Sequence, residues 1–169
     1  MKCIKKLVAL TLAAVLALTM LTACGGTPSV PETTEATKQV VDNINAVRTK
    51  NGLSALEINT AATDVASKFV ALHEKKDLKL ISDEDYKTEM KTLHSLQVGG
   101  KRRVGYLKML SDSSFEKAMT KEFWQKFYDA DETNNANACQ IVRGADAVYV
   151  GVATKQLSNG KYVTVVVTY

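Results

Sequence analysis

The end of this chain constrains its fold more than any other part. From Ala147 to Thr154, Val148, Val150 and Val152 alternate with Tyr149, Gly151 and Ala153. That two-residue period is the signature of a strand. Ser158-Asn159-Gly160-Lys161 has the composition of a tight hairpin turn. Tyr162 to Tyr169, rich in Val and Thr, supplies the second strand. Strands joined by so short a turn pair antiparallel, and their apolar faces must be covered by something else in the chain.

The covering material is helical. Val40, Val41, Ile44 and Val47 fall on one face of a helix over Lys38 to Lys50, which Asn51-Gly52 ends. Leu53 to Ile58 is a short crossing. Asn59 or Thr60 caps a second helix reaching Lys75, with Ala62, Val65, Ala66, Phe69, Val70 and Leu72 or His73 inward. Ser82-x-x-Asp85 resembles a capping box and opens a third helix, marked by Tyr86, Met90, Leu93 and Leu96 or Gln97. Gly99 to Arg103 reads as a loop and Val104 to Leu110 as a short strand or turn. Ser111 to Ser114 caps a helix over about Phe115 to Ala130, and Ile141-Val142 is a further short candidate strand. Helices followed by a terminal hairpin predict an α+β domain, a small antiparallel sheet covered by helices.

The other end of the chain addresses location. Lys2, Lys5 and Lys6 precede an apolar run from Leu7 to Leu21, which closes on Leu21-Thr22-Ala23-Cys24-Gly25. A charged start, an apolar segment and small residues before a cut make a secretory signal. Leu-x-Ala-Cys-Gly resembles the lipobox of bacterial lipoproteins. The resemblance implies cleavage after residue 23, a covalent diacylglycerol on Cys24, and a membrane partner reached through that anchor. Residues 1–23 are thus expected to be the signal peptide. Residues 24–37, with Gly25, Gly26, Pro28 and Pro31, form a flexible tether, and 38–169 are the domain.

The signal also alters the charge argument. The whole chain carries +4. Without Lys2, Lys5 and Lys6, 19 basic side chains face 18 acidic ones, a net charge of +1. A chain so close to neutral gives no electrostatic reason to expect nucleic acid. Cys3 leaves with the signal and Cys24 takes the lipid, so Cys139 is the remaining thiol and no intramolecular disulfide is expected.

The residues INAVRTKNGLSALEIN, from Ile44 to Asn59, resemble the opening of the CAP superfamily, the SCP-like cysteine-rich secretory, antigen 5 and pathogenesis-related 1 proteins. Asn45, Arg48, Gly52, Leu53 and Leu56 occupy its recurrent places. AATDVASKFVAL resembles the family's second helix, Trp124 its later tryptophan, and VYVGVATKQLSNGKYVTVVVTY its closing strands. The resemblance implies an α-β-α sandwich. Many members gather two His and two Glu in a cleft that can hold a divalent metal. Here the Gly-Glu-Asn motif reads Gly105-Tyr106-Leu107, and Trp-x-x-Ser-x-x-His reads Trp124, Phe127 and Ala130. The Ser-His pair after the second helix reads Ser82-Asp83. No catalytic residue, metal ligand or non-covalent cofactor is therefore carried over.

Other candidates are weighed residue by residue. His94, with Glu89 or Asp85 on its helix, lacks the second imidazole of a good zinc site. His73 reads as a packed or end-capping histidine. Cys139 has no neighbouring base among Asn137, Ala138 and Gln140, so it reads as a buried structural thiol. Lys101-Arg102-Arg103 is the one dense basic cluster, suited to anionic headgroups or wall polymers but also to ordinary solvated surface. Tyr106 stands where the family has a charged group, which makes the implied cleft more apolar. Tyr106, Trp124 and Tyr128 are therefore the candidate ligand cleft. The expectation is a surface-anchored, non-catalytic domain that binds a lipid, small apolar molecule, peptide or protein partner. The competing reading is a metal-dependent or protease-like hydrolase rebuilt from His73, His94, Glu89 and Asp112. A third is an α+β lipoprotein of another fold serving an envelope assembly, marked by an Ala147–Thr154 strand placed away from the first helix.

Overall fold

The computed structural model describes residues 35–112, 114–131, 133 and 135–169. The expected signal segment, Cys24 and most of the tether lie outside them. Helix α1 spans Glu35–Lys50, beginning ahead of the expected Lys38, with Thr37 already buried. The end of the expected tether therefore belongs to the folded domain. Val40, Val41, Ile44 and Val47 form the buried stripe of α1. At its end Gly52 adopts φ +78°, and Leu53 N–H donates to the Arg48 carbonyl at 3.0 Å, which consumes an otherwise orphaned acceptor.

The rest of the chain follows as β1 (Glu57–Ile58), α2 (Thr60–Asp77), α3 (Asp83–Ser95), β2 (Gln97–Val98), β3 (Lys101–Arg102) and β4 (Gly105–Ser111). Then come α4 (Ser114–Ala118), α5 (Lys121–Asp129), α6 (Ala136–Arg143), β5 (Tyr149–Gln156) and β6 (Tyr162–Thr168). Asn59 caps α2 by accepting from Ala62 N–H at 3.2 Å, and the Ser82 hydroxyl caps α3 by accepting from Asp85 N–H at 3.1 Å. β2 and β3 form a small antiparallel ribbon. The main sheet has the order β1-β5-β6-β4, with β1 parallel to β5 and the other pairs antiparallel. The terminal hairpin is its centre. Because β1 leads straight out of α1 and pairs with β5, the strand at Tyr149–Gln156 lies beside the first helix's crossing, as the CAP-like reading requires.

Alternation along β6 divides the core. Val163, Val165, Val167 and Tyr169 face α2, where Phe69, Ala66 and Val70 cover them. Val166 faces the other way, with Val150 and Val152, toward α1, α5 and α6. The result is an α+β sandwich of helices, sheet and helices. Gly151 makes the α2 side possible. A Cβ there would collide with the backbone of Ala62 and Thr63, so α2 sits against the sheet closer than any side chain allows. Helix α3 packs outside α2 and buries no residue fully. Among the described residues, no helix is long and apolar enough to cross a membrane.

Two local expectations are corrected. Ile141-Val142 is helix, not strand. Ala138, Ile141 and Val142 are spaced by three and four, and all are buried on one face of α6. The helix expected over Phe115–Ala130 is broken at Thr120, whose backbone is extended at φ −107° and ψ 138°. The Trp124 indole N–H donates to the Ala118 carbonyl at 2.7 Å, and the Thr120 hydroxyl to the Lys117 carbonyl at 2.9 Å. These bonds satisfy carbonyls that a continuous helix would have used internally.

Candidate functional site

His73, His94 and Arg103 meet at Tyr106. The β4–β6 register sets Tyr106 opposite Val167 and turns its ring toward α2. Phe69 and His73, four residues apart on α2, reach it from above. Tyr86, Met90 and His94, spaced by four on α3, close the side. The Tyr106 hydroxyl lies 2.8 Å from His73 Nε2, and the Tyr86 hydroxyl lies 3.0 Å from His73 Nδ1. A neutral imidazole carries one N–H donor and one acceptor nitrogen. Each is therefore matched to a tyrosine hydroxyl. Burial, then the nearby Lys108 and His94, lower the His73 pKa to about 4, so the ring is neutral at pH 7. Burial pushes the Tyr106 hydroxyl well above the ordinary phenol range.

His94 stacks in the same cluster, its ring centroid 4.8 Å from both Phe69 and Tyr106. Its Nδ1 is buried without a hydrogen-bond partner among the described residues. Burial, then the Arg103 charge, lower its pKa to about 4. Arg103 lies over the Tyr106 ring with its guanidinium carbon 5.5 Å from the centroid. Its Nε and Nη1 are buried and likewise lack partners among the described residues. Two openings flank Tyr106. The smaller, about 120 Å³, is bordered by His73, Tyr86, Lys108 and Leu110. The larger, about 380 Å³, lies between the end of α3 and the β2–β3 ribbon and is lined by His94, Ser95, Leu96, Gln97, Arg102 and Arg103.

The expected cleft of Tyr106, Trp124 and Tyr128 does not exist as one site. Tyr106 belongs to the α2 side of the sheet and Trp124 and Tyr128 to the other. Trp124 is fully buried, its indole packed 5.1 Å from Phe123. Tyr128 lies under Arg143 at 5.7 Å. Residues 106 and 124 belong to different layers, a separation that spacing along the chain does not reveal.

The rebuilt-hydrolase residues meet only in part. His73 and His94 both approach Tyr106. Glu89 instead forms an exposed pair with Lys75 at 3.5 Å, and Asp112 is exposed beyond the end of β4. Asp85 is engaged with the Ser82 hydroxyl at 2.6 Å. Among the described residues, no group of three or more His, Cys, Asp or Glu side chains is arranged to hold a metal. Cys139 is a buried free thiol on α6. Sequence reasoning missed Tyr86 and the separate role of Arg103. The four-residue spacing of Tyr86, Met90 and His94 was the available signal for the first; nothing local marked the second.

Comparison with known proteins agrees with the architecture. A sequence search of curated proteins finds no match. Among solved structures, the chain is similar to an outer surface protein from Borrelia burgdorferi. The TM-score is 0.50 at 14% identity, over 85% of this chain and 97% of that one. A likeness at that identity speaks to fold. The model of the cysteine-rich secretory protein family, CAP, matches residues 41–169, from the buried stripe of α1 to the end of the sheet. With that match spanning both faces of the sandwich and the strands between them, the chain belongs to the CAP family.

Proposed function

We propose that this chain is an exported surface protein, anchored through lipid on Cys24, whose CAP domain binds a ligand or envelope partner without catalysis. The observation that carries the non-catalytic part is the state of His73. Both of its nitrogens are engaged by tyrosine hydroxyls, and its lowered pKa keeps it neutral. A general base needs a free nitrogen and a titration range near the working pH. A zinc ligand needs a free nitrogen and companions. Neither nitrogen of His73 is free in that sense, and the carboxylates nearest in sequence are engaged elsewhere: Glu74 accepts from Lys155 at 2.6 Å and Asp77 from Asn159 at 3.0 Å. The lipobox-like Leu21–Gly25 segment supports anchoring, and the likeness to a protein described as an outer surface protein agrees with a surface location.

Native mass spectrometry of the full chain, released from detergent after incubation with zinc, tests the reading. The expected result is a diacylglycerol-modified mass that takes up no zinc. One zinc per chain, lost in His73→Phe or His94→Phe, would replace it with the metal-hydrolase reading. Cys24→Ser is expected to remove the lipid mass and release the protein from membranes.

A further inference from the structure

The cleft between α3 and the β2–β3 ribbon combines three features that the non-catalytic reading leaves open. Its lining includes two arginines, Arg102 and Arg103, and no acidic residue among the described residues. Arg103 presents two buried N–H groups with no acceptor among the described residues. Burial disfavours its charge, and no acid among the described residues offsets that cost. A buried cation ordinarily has an anion or several carbonyls around it, and an unmet buried donor is costly. His94 belongs to the same lining, and its Nδ1 is also unmet. Two unmet Arg103 donors, two arginines with no acidic residue among the described lining, and a cleft of about 380 Å³ beside them share one complement. The Tyr169 hydroxyl, also unmet, is a neutral acceptor acting on Arg103.

We propose that this cleft is an oxyanion site, in which Arg103 and Arg102 receive the phosphate or carboxylate group of a ligand. The proposal rests on the binding-domain reading and specifies the ligand's chemistry. Guanidinium forks match both groups through paired N–H donors. Arg102, exposed on β3, provides the entrance charge, and Arg103, half-buried over Tyr106, provides the seat. Lys101 precedes them on the same ribbon but does not line the cleft, which makes it a control for general attraction. Phosphate offered free in solution and phosphate on a lipid headgroup share this chemistry and are separable by experiment.

His94 is the reporter. An anion seated beside Arg103 offsets the charge that now helps hold the imidazole neutral, so the His94 resonance should titrate at higher pH when the site is filled. NMR titration of the full chain in nanodiscs tests this in two arms. Inorganic phosphate is added to nanodiscs of neutral phosphatidylcholine, and separately phosphatidylglycerol replaces part of the lipid. A saturable upward shift in either arm supports the site and identifies the source. The support also requires that Arg103→Gln abolish the shift and that Arg102→Gln weaken binding roughly tenfold, with Lys101→Gln leaving it largely intact. Arg102 is exposed, so its variant stays informative if Arg103→Gln fails to fold. No shift in either arm, or equal losses in the Lys101 and Arg102 variants, overturns the proposal. Zinc binding in a chain that also passes this test would sink the non-catalytic reading and leave the oxyanion site standing. A chain binding neither does the reverse.

Discussion

Arg48 and Arg103 are both arginines that the fold draws away from water without a carboxylate, and they end in opposite states. Arg48 is fully buried beneath α1. Its Nε donates to the Ser54 carbonyl at 2.9 Å, and its Nη1 to the carbonyls of Ile141 and Gly144 at 3.1 and 3.0 Å. Nη2 reaches the Ala147 carbonyl at 3.5 Å. Two of these carbonyls belong to the end of α6, where the helix dipole favours a cation. Arg103 has a phenol ring and two unmet donors. A guanidinium solvated by backbone serves the fold; one left short of acceptors on the rim of a cleft is available to a ligand. The acceptor count, together with the deeper burial of Arg48, separates the two cases.

The largest effect expected from breaking this comparison is at Arg48. Arg48→Met should lower unfolding free energy by about 3–5 kcal/mol, because it strands several buried carbonyls at once. Arg48→Lys should fail nearly as badly, since one ammonium cannot span the carbonyls that the fork reaches. Urea unfolding measures both, and a loss below about 1 kcal/mol would deny Arg48 its place as the joint between α1 and α6.

Acid gives the next effect, on the Arg103 side. His73 and His94 have folded pKa values of about 4, below the ordinary 6.5. Between those values the unfolded chain binds protons that the folded chain refuses. Stability is therefore full above pH 6.5 and falls as pH drops toward 4. Urea midpoints at pH 7 and pH 4 check the sign; a midpoint that rose in acid would contradict it.

Smaller effects sharpen the contrast. Tyr106→Phe keeps the ring beneath Arg103 but removes the hydroxyl bonded to His73, and should cost about 1 kcal/mol. Arg103→Gln should change stability by no more than about 1 kcal/mol in phosphate-free buffer. In phosphate, the parent chain should gain stability and this variant should not, a difference that thermal unfolding in the two buffers detects.

What could be read from the chain alone follows from how local the cause was. The hairpin was legible because alternation of Val148, Val150 and Val152 and the Asn159-Gly160 turn are local facts. So were α1 and α2, whose stripes and caps lie within the helices themselves. Ile141-Val142 was read as strand because two β-branched residues favour one locally; their partner in the helical period, Ala138, is too small to stand out. The break at Thr120 depends on an indole from the next helix. The site was half legible. Tyr106, His73 and His94 each carry an individual signal in the sequence, yet their meeting requires α3 to fold back over α2. Trp124 and Tyr128 were misplaced because aromatic content carries no information about which side of a sheet a helix will cover.

The position of β6 has a consequence in time. Later in the chain than every other element described, it lies between β5 and β4 and pairs with both along their lengths. A nascent chain that has delivered everything up to β5 holds two strands with no shared edge and two helical layers with no common floor. The contacts of β6 with β5 are local across the hairpin, but those with β4 span more than about fifty residues, which slows closure. The sandwich can close only after β6 is delivered, so until then the emerging polypeptide remains open, without a finished core to resist being threaded.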